Sequence, residues 1–313
     1  MQISGGVVLS GGVNLAPGSG GSGGSGGFQG SNFGYTSGGN PNPDYVNTID
    51  KFPFASDGNA TDVGDLTQAR NAAAGQSSTA SGYSSGGSTT IRINTIDKFP
   101  FASDGNATDV GDLTQTRQAA AGQSSTASGY SSGGLDVNLV NTIDKFPFAS
   151  DANASDVGDL TTTKDGSAGQ SSNISGYTSG GRTPITATVN TIDKFPFASD
   201  DNATDVGDLS VGRWKPAGQS STTHGYTSGS YPEVDTIDKF PFASDGNATD
   251  VGDLTQARDD AAGQSSNISG YTSGGYVNDR VNTIDKFSFA SDGNATDVGD
   301  LTVVRQGVAG QQY

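Results

Sequence analysis

A chain of 313 residues with net charge −17, 31% hydrophobic residues and no Cys can form no disulfide framework, thiolate metal site or cysteine nucleophile. Its acidity repels phosphate backbones, which excludes a nucleic-acid partner, and no run approaches the roughly 18 apolar residues that span a bilayer, so membrane insertion is not expected. The 48 Gly bring the small and apolar share to an ordinary globular level, compatible with closely stacked sheets.

Residues 1–15, MQISGGVVLSGGVNL, hold two short β-prone runs and read as an N-terminal β arm. They lack the basic start and unbroken apolar core of a secretory signal, so display outside a cell is expected to come through assembly or lysis. Residues 16–30 are a Gly/Ser-rich linker, the composition of a flexible tether.

From residue 31 onward the phrase Ile-Asp-Lys-Phe-Pro-Phe-Ala-Ser-Asp recurs six times with at most one change, its first Asp at Asp50, Asp97, Asp144, Asp193, Asp238 and Asp285. The copies lie 47, 47, 49, 45 and 47 residues apart. A period of roughly 40 to 50 residues with short β-like runs and no 3.6-period apolar stripe signals propeller blades. Turn residues cut each unit into four strands. The first unit gives a Gly-Tyr strand around Tyr35, then Asn47 to Phe54 with Phe52 and Phe54 on one face and Ile49 on the other. Ser56-Asp57-Gly58-Asn59 turns the chain, and Ala60 to Leu66 and Ala74 to Ser78 follow. The last of these, built of small residues, is the natural innermost strand, because neighbouring blades converge there.

The expected architecture is an all-β, six-bladed propeller over 31–313. Its ends are complementary: Ser31 to Gly39 supplies a Gly-Tyr strand before the first full phrase, and the chain stops after Ala309-Gly310-Gln311. Three N-terminal strands and one C-terminal strand therefore complete a single blade, which closes the ring.

The unit resembles the kelch repeat. A Gly-Gly doublet ends one strand (Gly38-Gly39, Gly86-Gly87, Gly133-Gly134), the next strand has an Asp near its middle, and an Arg opens the innermost strand (Arg70, Arg117, Arg213, Arg258, Arg305). It departs from kelch in lacking an outer-strand Trp, where Val63 and Leu66 stand. The wording NTIDKFPFASDGNATDVGDLT with AGQSS and GYTSGG resembles kelch-like propellers encoded by marine bacteriophages, cyanophages among them. That resemblance implies a structural virion protein, a tail fibre or appendage displayed in many copies or as a homo-oligomer, held to other virion proteins by residues 1–15 and binding a host-surface glycan or receptor. A ligand-free scaffold or filament subunit is the alternative. A glycan-processing enzyme is the remote one, since glycosidases use paired carboxylates.

The connections after Gly-Gly and after the outer strand fall on the same face of an up-and-down meander, and both vary between units, whereas the Ser-Asp-Gly-Asn turn on the other face is nearly constant. Binding surfaces are carried by varied loops on a constant scaffold. The aromatic and cationic residues gathered there, Trp214, Arg213, Lys215, Arg182, Tyr231, Tyr276 and Arg280, are the candidate ligand-binding residues. No catalytic residue, metal site or cofactor is expected. Asp57, Asn59 and Asp62 lack the ligand count of a calcium loop, and Asn59-Ala60-Thr61, which fits a glycosylation acceptor, reads as turn chemistry. The single His, His224, has no supporting nucleophile set. Asp65, Lys51 and Arg70 and their counterparts are expected to form ion pairs within or between blades.

Overall fold

In a computed structural model, describing residues 30–184 and 187–313, all regular structure is β-strand. The expected arm and all of the linker except Gly30 lie outside the described residues. Six antiparallel sheets each run inner, second, third, outer. Blade 1 takes its inner strand from Ala309–Gln312 and its other three from Phe33–Ser37, Thr48–Pro53 and Thr61–Asp65. The N- and C-terminal parts of the ring thus share one blade. Blades 2 to 6 begin with inner strands Ala74–Ser77, Ala121–Ser124, Ala168–Ser171, Ala217–Ser220 and Ala262–Ser265. Blade 4 adds a two-residue strand, Arg182–Thr183, folded back on its third strand, Ala187–Pro196.

The inner strands touch their neighbours all round the axis, and their sequence follows from that approach. A Cβ on Gly75 would lie 2.2 Å from the carbonyl oxygen of Gly310, and one on Gly122 2.2 Å from that of Gly75. Only Gly fits. Two rings of hydrogen bonds tie the strands together. The amides of Ser77, Ser124 and Ser171 donate to the hydroxyls of Ser124, Ser171 and Ser220 at 2.9 to 3.0 Å, and Ser220, Ser265 and Gln312 continue the cycle back to Ser77. Each inner Gln amide donates to a Tyr carbonyl of the next blade, as Gln76 does to Tyr130 and Gln311 to Tyr83.

The core lies between blades. Tyr35, Ile49 and Leu66 of blade 1 pack on Phe99 and Phe101 of blade 2, while Phe52 and Phe54 on the other face of blade 1 meet Tyr271, Ile284 and Leu301 of blade 6. The alternation expected of the third strand holds. Tyr35 packs on Phe101 with ring centres 4.8 Å apart and planes tilted by 31°, and the Phe52 ring fills the space beside Gly34, its cross-strand partner. Each buried Phe stabilises by about 1.5–3 kcal/mol. Pro53 closes its strand beyond the last pairing with the outer strand, Lys51 opposite Thr61, so its missing amide breaks no ladder bond.

Charges join the blades at two depths. On the constant face Lys51 meets Asp104, and five counterparts repeat the contact, through Lys286 with Asp57. Inside, Arg70, Arg117, Lys164, Arg213, Arg258 and Arg305 pair with Asp97, Asp144, Asp193, Asp238, Asp285 and Asp50, both side chains fully buried. The expectation for Asp65 is corrected: it is in no ion pair among the described residues, and the carboxylate that meets the buried cation is that of Asp50 and its copies. The outer strand bulges between the partners of Ile49 and Asp50, and Asp65 serves through its main chain. Its amide donates to Asn106 Oδ1 at 3.1 Å and its carbonyl accepts from Ala107 at 2.7 Å. Asn59 and its counterparts are therefore occupied as inter-blade acceptors.

Two substitutions test this account. Gly122→Ala is expected to lower stability by about 1–3 kcal/mol through backbone overpacking, measured as a urea midpoint, whereas Gly58→Ala, with open space around it, shifts it by less than about 0.5 kcal/mol. At Lys164 burial lowers the amine's pKa despite Asp193, and among the described residues its nitrogen reaches Asp193 Oδ2 at 3.1 Å and Thr191 Oγ1 at 3.4 Å. Arg70 adds bonds to the Gly86 and Thr95 carbonyls. Lys164→Arg is expected to stabilise the ring by about 0.5–1.5 kcal/mol; a lower midpoint would show that the Lys packing is specific to this boundary.

Candidate binding face

Each connection from an outer strand to the next inner strand carries the buried cation, then two residues that differ from unit to unit. The first of these, Asn71, Gln118, Asp165, Trp214, Asp259 or Gln306, makes a main-chain bridge to the residue after Gly-Gly (Gly229-Ser230 in blade 5): Ser88, Leu135, Arg182, Tyr231, Tyr276 or Asn40. The second lies in left-handed conformation in every unit: Ala72, Ala119, Gly166, Lys215, Asp260 and Gly307, with φ between 52° and 64°. That conformation turns each amide toward the carbonyl of the previous blade's equivalent residue, and the six bonds close a ring, 2.7 to 3.0 Å, around the mouth of the axial channel. Three concentric circles of varied side chains thus stand on one face. Gly30 and Tyr313 lie at the other, where Gly30 donates to Ser265 and Tyr313 exchanges bonds with Phe33.

Six of the seven candidate residues gather over blades 4 to 6. The Arg182 guanidinium, held by Asp165 through bonds of 2.8 and 3.1 Å, stacks on Trp214 at 3.8 Å from the ring centre. Tyr231, 46% exposed, sets its ring edge-on to Trp214 at 5.8 Å and 88°. Lys215 Nζ lies 4.7 Å from the Trp214 ring centre and 2.5 Å from Asp260 Oδ2. Arg280 sits 5.6 Å from the Tyr276 ring centre and 3.7 Å from Asp279 Oδ1. The seventh residue is a correction: Arg213 is fully buried and spends its charge on Asp238, so it anchors the face from beneath and presents nothing on it.

A cavity of about 350 Å³ opens between Trp214, Tyr231 and Tyr276, with Lys215, Arg280 and Gln306 also on its wall. Glu233, Asp259 and Asp260 complete the lining. Sequence reading passed over these carboxylates because it ranked aromatic and cationic side chains. Asp259 and Asp260 were marked all the same, by standing first and second after the buried Arg, as Trp214 and Lys215 do. The Lys215–Asp260 pair also borders a smaller cavity of about 90 Å³ at the axial mouth, so it forms the partition between the two. Burial first, then the charge of Asp260, push the Asp259 carboxyl up to about 7; Lys215 opposes the rise and Glu233 adds to it. His224 lies at the opposite face, its Nδ1 2.8 Å from Thr223 Oγ1. No three Asp, Glu or His side chains among the described residues converge to hold a metal.

Fold and face together define a six-bladed β-propeller with one diversified loop surface, an architecture that suits a binding or scaffold protein and by itself assigns neither. No family model and no curated protein matches the chain.

Because the folded Asp259 titrates near 7 and the unfolded one near 3.9, the native state holds its proton more tightly. Its contribution to stability is complete below about pH 4 and is lost as pH rises through about 7. Asp259→Asn stays neutral, so the variant is expected to gain on the wild type by on the order of 1–3 kcal/mol between about pH 4 and about pH 8. Urea midpoints at both ends measure it. A constant difference would mean that Asp259 ionises as in the unfolded chain.

Proposed function

We propose that this chain is a kelch-like display module of a bacteriophage particle, a fibre or appendage protein that binds a host-surface glycan or receptor through its varied face and catalyses nothing. One observation carries the reading. The six units differ on one face, while the Gly/Ser tract joins the ring at Gly30 on the other. An arm at residues 1–15, docked on other virion proteins through that tether, leaves the varied face directed outward. The propeller needs no change of shape to present it. Many copies on one particle turn weak contacts into firm adsorption by raising the effective concentration of the second contact.

Deleting residues 1–27 is expected to leave the ring folded, with an unchanged urea midpoint, and to remove the protein from purified particles; retention on particles would count against the arm. The double variant Tyr231→Ala/Tyr276→Ala is expected to weaken particle adsorption to host cells by about tenfold, the effect of losing two interface aromatics at one contact. Unchanged adsorption would make the protein a ligand-free scaffold or filament subunit. Reducing sugar released from host polysaccharide by the purified protein would make it a glycan-processing enzyme.

A further inference from the structure

We infer that the cavity over blades 5 and 6 receives one unit of an amino sugar whose nitrogen carries a positive charge. This rests on the varied face being the binding face and names the ligand that it takes. At about 350 Å³ the cavity is at the small end of the roughly 300–1,000 Å³ range of small-molecule sites, a size for a single ring with short substituents rather than a peptide segment. Trp214, Tyr231 and Tyr276 bring aromatic surface to the cavity, against which the C–H surface of such a ring can pack.

The charges select among sugars. Lys215 is committed to Asp260 at 2.5 Å, and Arg280 to Asp279 and the Tyr276 ring. Glu233 and Asp259 line the same cavity and take part in no ion pair among the described residues. The wall therefore holds two carboxyl groups without an ion-pair partner, Glu233 exposed and Asp259 buried. An acidic sugar would be repelled, and a neutral one would leave the buried Asp259 carboxyl in its protonated form, its charge unused. An ammonium compensates it and donates charge-assisted hydrogen bonds. A second, independent observation concerns unmet hydrogen bonds. Gln306 Oε1 and Arg280 Nε are buried at this wall with no partner, an acceptor and a donor. Sugar hydroxyls supply both roles, and buried polar atoms left unpaired in a native fold ask for such a partner.

Trp214 is the only Trp in the chain, so its fluorescence reports on this cavity in the full-length protein. Chitosan oligosaccharide is expected to change the emission saturably, and its fully N-acetylated counterpart to bind at least about tenfold more weakly. Asp259→Asn is expected to weaken chitosan binding by about tenfold without altering the emission of the free protein; Glu233→Gln, at an exposed position, gives the same test should Asp259→Asn fail to fold. Equal binding of acetylated and free-amine oligosaccharides overturns the charge requirement. Equal competition by polylysine overturns the sugar in favour of a peptide cation. No response to any of these probes overturns the inference, while the adsorption of the Tyr231→Ala/Tyr276→Ala particles separately decides whether the face binds at all.

Discussion

A cation and a carboxylate, both shut off from water, close every boundary between blades. The pair at Arg70 and Asp97 shows what it fastens. Arg70 donates to the carbonyls of Gly86 and Thr95, and Asp97 accepts from the amide and hydroxyl of Thr67. The end of one outer strand, the third strand of the next blade and the Gly-Gly turn beside it are thereby held at a single point. A buried pair adds little net stability over an apolar filling, yet breaking one costs about 3–5 kcal/mol. The interaction therefore acts mainly to fix geometry. Its imperfection is visible too, since the Nε atoms of Arg70, Arg117, Arg213, Arg258 and Arg305 are buried without a partner. Five arginines share the same gap, so it belongs to the design of the boundary.

Much of this was legible in the sequence because a repeat multiplies weak signals. One Ala-Gly-Gln run says little; six of them, at places where only small residues fit, mark the axis. The split blade followed from comparing the two ends of the array. What stayed hidden depended on three-dimensional neighbours. Arg213 stands between Gly212 and Trp214 in a varied loop and reads as a surface cation, and only the recurrence of a cation there in all six units, Arg in five and Lys164 in one, signals burial. Asp50 and Asp65 recur equally well, and a bulge that shifts the register between them decides which carboxylate faces the cation. Glu233 and Asp259 lie on different connections, and their convergence on one cavity is a property of the ring.

Sixfold regularity marks the scaffold, and its breakage marks the candidate site. The bridges Asn71 to Ser88 and Trp214 to Tyr231 are made by the same main-chain atoms, at 3.0 and 2.8 Å in one and 3.1 and 2.7 Å in the other. Side chains at these positions contribute nothing to the bridge. The scaffold therefore tolerates Asn, Gln, Asp or Trp alike. Bulk and charge have nonetheless collected on blades 4 to 6, at Arg182, Trp214, Tyr231 and Tyr276, while blades 1 to 3 carry Asn40, Ser88 and Leu135 at the equivalent places.

The inner circle sharpens the contrast. Left-handed backbone suits Gly and costs any side chain roughly 1–2 kcal/mol, so Gly166 and Gly307 are what the ring itself prefers. Lys215 and Asp260 occupy two neighbouring places at φ of 59° and 57°, and join each other by an ion pair that walls the lateral cavity off from the axial mouth. The scaffold requirement, met best by Gly and elsewhere in the circle by Ala, does not call for charged residues at these two places. A wall between cavity and channel does. The cavity therefore opens on the varied face, beside the exposed Tyr231, and the channel, lined by Gly, Ser and Gln, serves as the axle of the ring.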